Sequence, residues 1–145
     1  MRPTELCSPR LRLRQWQAAD RAPFAALNAD PRFIGFAGLN PAPAGLPFAP
    51  AVEIGWRLAR AHWGQGLASE AARQAVSFAF DALDLLEVVA FTALPNQRSR
   101  AVMARLGMRE SGQFDHPALP HGHALRRHWL YRLGRPPSAS RILGT

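Results

Sequence analysis

The sequence predicts one α/β domain in which apolar strands alternate with amphipathic helices. Three observations lead there. At 145 residues with 48% hydrophobic content, the chain suits a single core. Apolar runs at 33–39, 52–59 and 88–94 have the length and the β-branched or aromatic content of buried strands. Between 68 and 83 the polar residues Glu70, Arg73, Gln74, Ser77 and Asp81 fall mostly on one face, with alanine, valine and phenylalanine opposite. That is the pattern of a helix lying on a core.

Taken in order, Leu11, Leu13 and Trp16 interleave with Arg10, Arg12 and Arg14, the period-two signature of a first strand with one solvated face. Asp20 is placed to cap a short helix carrying Phe24, Ala25 and Leu27, which ends near Asn28 to Pro31. "FIGFAGL" at 33–39 is the next strand. The following "NPAPAGLPFAPA" is a loop, because its four prolines suit neither a helix nor a central strand. In "VEIGWRLA", residues 52–59, Gly55 marks a bulge or a close backbone approach. The helix at 68–83 and the strand "VVAFTAL" at 88–94 follow. Pro95 and Asn96 stop that strand, and Asn96 caps a helix that runs through Leu106 and ends at Gly107. Residues 112–127 read as a loop bearing histidines and prolines, "HWLYRL" at 128–133 as a final strand, and 136–145 as a loose tail after a domain spanning 1–135.

Composition removes several kinds of chemistry. All 18 basic residues are arginine, so neither a Schiff-base lysine nor a P-loop lysine is available. The arginines are scattered through a chain of formal net charge +8, so an arginine-rich nucleic-acid binder stands as a rival on charge alone, without stacking motifs to support it. Cys7 is the single cysteine, which excludes an internal disulfide. His116, His121, His123 and His128 match no zinc spacing, so no metal is expected. A start without a long apolar core, and the lack of any membrane-length apolar run, point to the cytoplasm and away from a membrane. There is no G-x-S-x-G, so a serine-hydrolase elbow is missing.

The informative stretch is Trp63-Gly64-Gln65-Gly66-Leu67-Ala68-Ser69, which joins a strand to a helix. Two glycines lacking Cβ atoms let a diphosphate come close, and a helix start aims unpaired N–H groups and the positive end of its dipole at it. A plain strand-to-helix turn has the same residues. A dinucleotide fold fits less well, because Ser69 stands where the third glycine of G-x-G-x-x-G belongs and the strand at 88–94 lacks the acidic residue that holds a ribose.

The order strand, W-G-Q-G-L-A, helix, strand, P-N-x-x-S, helix, G-M resembles the GNAT N-acetyltransferase superfamily, specifically its RimJ/RimL-like branch. The resemblance covers nearly the whole chain. Trp63 to Ala68 look like the acetyl-CoA diphosphate loop, although the wider superfamily has arginine or glutamine where Trp63 stands. Asn96 and Ser99 match N-x-x-S, and Gly107-Met108 the closing G-M. The branch places a further helical stretch and a strand between "NADP" and "FIGFAGL", a part that helps wall the acceptor pocket. Here Phe33 follows Pro31 almost at once.

The resemblance implies a mixed, mostly antiparallel sheet flanked by helices, with acetyl-CoA held between the strands at 52–59 and 88–94. It implies acetyl transfer from acetyl-CoA to a protein N-terminus or a small amine, and leaves a homodimer open. Backbone N–H groups of Trp56, Arg57 and Leu58 would then hold the pantetheine arm and polarise the acetyl carbonyl. Asn96 and Ser99 would face the cofactor, with Ser99 the candidate proton donor to the thiolate. Many GNAT enzymes use a tyrosine later in that helix, where this chain has Met103. Glu53, on the strand leading into the loop, is the candidate general base acting through water, or else a strand-edge carboxylate paired with an arginine. A non-catalytic acyl-CoA-binding remnant is the other rival.

Overall fold

A computed structural model describes residues 5–15, 17–20 and 34–137. The anticipated helix with Phe24, Ala25 and Leu27, together with Trp16, Phe33 and the tail beyond 137, lies outside the described residues. The strand expected around Leu11 and Leu13 is shorter, and an unanticipated strand precedes it and pairs with it. β1 (Glu5–Cys7) and β2 (Arg12–Arg14) form an antiparallel hairpin of their own, with Leu6 opposite Leu13.

The main sheet has five strands, β3 (Gly35–Pro41), β4 (Val52–Leu58), β5 (Glu87–Ala93), β6 (Arg109–Asp115) and β7 (Arg127–Gly134), in the order β3-β4-β5-β7-β6. Only β4 and β5 run parallel, and the other pairings are antiparallel. The expected mixed, mostly antiparallel sheet is therefore present. Pro41, which has no N–H to donate, ends the edge strand β3, a position that tolerates proline.

Among the described residues two α-helices lie against this sheet, α1 (Leu67–Asp81) and α2 (Gln97–Arg105). Helix α1 buries Leu67, Ala71, Ala72, Ala75, Ala79 and Phe80, an apolar stripe rich in alanine that lets it lie close on the sheet. Against it pack Ile54, Val88, Ala90, Met103, Met108 and Tyr131. The opposite face of the sheet is covered by the proline-rich loop, whose Leu46 and Phe48 join Val89, Phe91, Phe114 and Leu130. In this second cluster the rings of Phe48, Phe91 and Phe114 meet at centroid distances of 5.1 to 5.7 Å, in tilted and edge-on contacts favoured by aromatic quadrupoles.

Two expectations need correction. Residues 112–127 are not a single loop, because 109–115 form strand β6 at the sheet edge. Only Phe114 of its seven residues is buried, so the alternating apolar pattern that identifies a strand is too faint to read there. Nor does Gly55 make a bulge with β3, since the register runs unbroken through Gly38 opposite Gly55. The irregularity lies on the other side of β4, where it pairs with β5 at Glu53 and Val89 alone.

Candidate active site

Beyond Glu53, β4 and β5 part, and a cavity of about 1050 Å³ opens where they diverge. The last residues of β4, Trp56, Arg57 and Leu58, line it. With no ladder to β5 at this level, that edge of β4 is left without its neighbour strand, which is how a sheet offers backbone groups to a ligand. The two strands part here without a bulge at Gly55, whose register with β3 is unbroken.

From Leu58 the chain passes through a 3-10 turn (Arg60–His62) into the glycine loop. Gly64 and Gly66 both have φ of 75°, a left-handed conformation that is costly for residues carrying a Cβ. Gly66 is the N-cap of α1 and supplies no side-chain hydrogen bond. The first amides of a fifteen-residue helix therefore start without the usual Ser, Thr or Asp cap, at the positive end of the helix dipole. Gly64, Gly66, Leu67, Ala68 and Ser69 all line the cavity. Ser69 is buried, and its Oγ has no hydrogen-bond partner. An uncapped helix start and an orphaned hydroxyl beside it are what a phosphate-bearing ligand would satisfy.

The other wall is the start of α2. Asn96 Oδ1 caps this helix by accepting from the Ser99 amide at 3.2 Å, as its position predicts. Asn96 and Ser99 both line the cavity. Of the expected cofactor-binding residues, Gln65 alone is not in the lining, and its Nε2 donates to Ala61 O at 3.4 Å.

Glu53 stands apart from this cavity, on the far face of the sheet. Ile54 and Trp56 pack toward the helices, so strand alternation turns Glu53 the other way, beside Val89 of the second cluster. Burial raises the pKa of its carboxyl above the ordinary value, because desolvation disfavours the charged form. No arginine holds it in an ion pair among the described residues, so the strand-edge salt bridge is not what occupies it.

Several lining residues are absent from the sequence expectation. Ser8, Pro9 and Arg10 come from the turn of the β1–β2 hairpin, and no local signal announces them. Arg10 donates from Nε to Glu70 Oε2 at 2.7 Å, from its amide to Glu70 Oε1 at 3.1 Å, and from Nη1 to Gln65 O at 2.9 Å. It pins the hairpin to the first turn of α1. Arg98, Ala101, Val102 and Arg105 also line the cavity, and their i, i+3, i+4, i+7 spacing was legible as one face of the predicted helix.

Tyr131 is buried, and its Oη accepts from Arg100 Nε at 3.2 Å. His123 Nδ1 accepts from the Leu125 amide at 3.0 Å, and His121 Nδ1 lies 2.7 Å from Arg126 Nη1. Among the described residues no group of three or more His, Cys, Asp or Glu side chains is placed to hold a metal ion, and no helix is long and apolar enough to cross a membrane.

The sequence pattern of the acetyltransferase (GNAT) domain matches residues 29–109, which is more than half of the chain. This protein belongs to the GNAT acetyltransferase family. Its fold agrees with that of a GNAT-family acetyltransferase from Bacillus anthracis, with a TM-score of 0.74 over 90% of this chain and 98% of that one at 19% identity. It is also similar to RimJ of Mycobacterium smegmatis, solved in complex with CoA-disulfide, with a TM-score of 0.59 and 30% identity over 77% of this chain and 53% of RimJ. The FsC-acetyl coenzyme A-N(2)-transacetylase of Aspergillus fumigatus is 48% identical over 56 residues, which are 39% of this GNAT chain. The match spans 24% of that protein, and less than half of each of three relatives from Bacillus subtilis.

Proposed function

We propose that this GNAT domain moves an acetyl group from acetyl-CoA to a primary amine, by direct transfer within a ternary complex. The observation that carries the reading is the coincidence, in one cavity, of a parted β4–β5 seam with an uncapped, glycine-opened helix start. A long thioester with a diphosphate in its middle needs both features. The helix amides meet the anionic part, and the open strand edge meets the amide-bearing arm by backbone pairing.

The loop from Gly64 to Ser69 holds the diphosphate, with the hydroxyl of Ser69 as an added donor. Backbone N–H groups of Trp56, Arg57 and Leu58 orient the thioester and stabilise the charge that develops on its carbonyl oxygen. On the far face Glu53 takes the proton released by the attacking amine, through water. A carboxyl held above its ordinary pKa is the better base for that task near neutrality. The amine nitrogen bonds to the acetyl carbon as the carbon–sulfur bond breaks, and Ser99 relays a proton from solvent to the departing thiolate while Glu53 returns its own to solvent. The products are an N-acetylated amine and free coenzyme A thiol. The acceptor is a protein N-terminus or a small amine. With no lysine in the sequence, none of this protein's own side chains competes as an amine.

The test is release of free thiol from acetyl-CoA in the presence of a panel of amines and N-terminal peptides. Amine-dependent thiol release supports the reading. Saturable acetyl-CoA binding without turnover for any acceptor would instead identify a coenzyme-binding remnant.

A further inference from the structure

Arginines dispersed along the sequence converge in the fold. Among the described residues, six of them, Arg10, Arg57, Arg60, Arg73, Arg98 and Arg105, line the cavity, and Glu70, which Arg10 already engages, is the one carboxylate beside them. Three of the six lie on facing helical walls past the glycine loop, Arg98 and Arg105 on α2 and Arg73 on α1. None of these three makes an ion pair with a described residue.

Arg98 is also held in place without a counter-charge. Its guanidinium carbon lies 4.5 Å from the centroid of the Trp63 ring, a cation–π distance. The indole is itself anchored, because Trp63 Nε1 donates to Leu58 O at 2.9 Å. A tryptophan heading the loop thus seats a guanidinium beside it and leaves the hydrogen-bonding edge of that guanidinium unspent on any described residue. Arg105 stands seven residues further on, roughly 10 Å along the helix axis. Between them Ala101 and Val102 make an apolar strip on the same face.

We propose that this inter-helix groove is a second phosphate subsite that reads the 3′-phosphate of coenzyme A, through Arg98 with Arg73 and Arg105. The inference rests on the acetyl-CoA reading above and adds a specificity to it. Backbone amides at the helix start already meet the diphosphate, so the surplus guanidiniums answer a different charge. The coenzyme has one more, a phosphate monoester on the ribose beyond the diphosphate. A planar guanidinium fork suits such a group by bidentate hydrogen bonding. The apolar strip suits the flat nucleoside that carries it. A nucleic acid would call for cations spread along an extended surface, whereas these line one open cavity of about 1050 Å³, the size of a single-ligand pocket.

The experiment is calorimetric titration of the full chain with acetyl-CoA and with acetyl-dephospho-CoA at one ionic strength. Wild type binds acetyl-CoA about tenfold or more tightly than the dephospho compound. In Arg98→Gln the ratio falls toward one through loss of acetyl-CoA affinity, and Arg98→Lys restores part of it. Equal affinities in wild type, or a ratio unchanged in both Arg98→Gln and Arg105→Gln, would overturn the subsite and leave the acetyl-CoA reading standing. Failure of wild type to bind either compound would remove the reading beneath it. An oligonucleotide bound through Arg98 and not displaced by acetyl-CoA would reassign the groove to nucleic acid.

Discussion

Glu53 is held between two demands. Its strand position puts it on the face away from the helices, at the last point where β4 still pairs with β5, and burial there raises its pKa. The folded protein therefore holds this proton more tightly than the unfolded chain. Stability falls as pH rises from the ordinary carboxylate value through the raised one, and the cost is fully present above it. Replacing Glu53 by Gln removes that cost. The variant should melt higher than wild type at neutral pH, with the gain disappearing below the ordinary carboxylate range, as a thermal melt across pH would measure. Turnover should fall by about a hundredfold or more, while acetyl-CoA affinity stays nearly unchanged. Unchanged turnover would take Glu53 out of the mechanism. The sequence singled out Glu53 by its place on the strand before the loop, but its desolvation depends on chain far away in sequence.

Elements, in contrast, are joined at this site by a few backbone approaches. Gly35 has φ of 149°, and a Cβ there would meet Arg57 O at 2.1 Å and the Leu58 Cα at 2.8 Å, so β3 closes on the end of β4 only because that atom is missing. Gly35→Ala should destabilise the protein by about 2 kcal/mol or more in urea unfolding and displace the strand end that lines the cavity. Acetyl-CoA affinity should drop with it. Arg10 joins the hairpin to α1 through Glu70 and Gln65. Because this pair is half in water, Arg10→Ala should cost no more than about 1 kcal/mol. Hydrogen exchange should quicken in residues 5–14 more than in the sheet, and equal protection of the hairpin in both proteins would refute the tether. Both helices were legible to within two residues, since their periodicity and the Asn96 cap are local signals. Strand β6 was not, because six of its seven residues are solvent-exposed and carry no alternation.

For the molecule as a whole, the coenzyme is expected to act as a keystone between α1, α2 and β4, each of which contributes residues to the cavity lining. A ligand that binds only the native state stabilises it by about 2.7 kcal/mol at a hundred times its Kd. Acetyl-CoA should therefore raise Tm by several degrees, and a Tm that does not move at millimolar acetyl-CoA would count against the proposed function. The arginines that line the cavity also predict that this shift weakens as salt is raised, through screening of a shared anionic ligand. A shift independent of salt would show that the arginines do not share in binding.

What the chain dictates by itself is every feature set by neighbours in sequence. The two helices, the Asn96 cap, the apolar strands, and a glycine-opened turn before α1 all follow from short-range periodicity and local backbone preference. Which strand lies beside which, where β4 and β5 separate, and that Arg10, Arg73, Arg98 and Arg105 face one volume were decided only by tertiary packing. Those relations join residues dozens of positions apart. Their energy comes from burying apolar faces against one another, so no local window of sequence contains it.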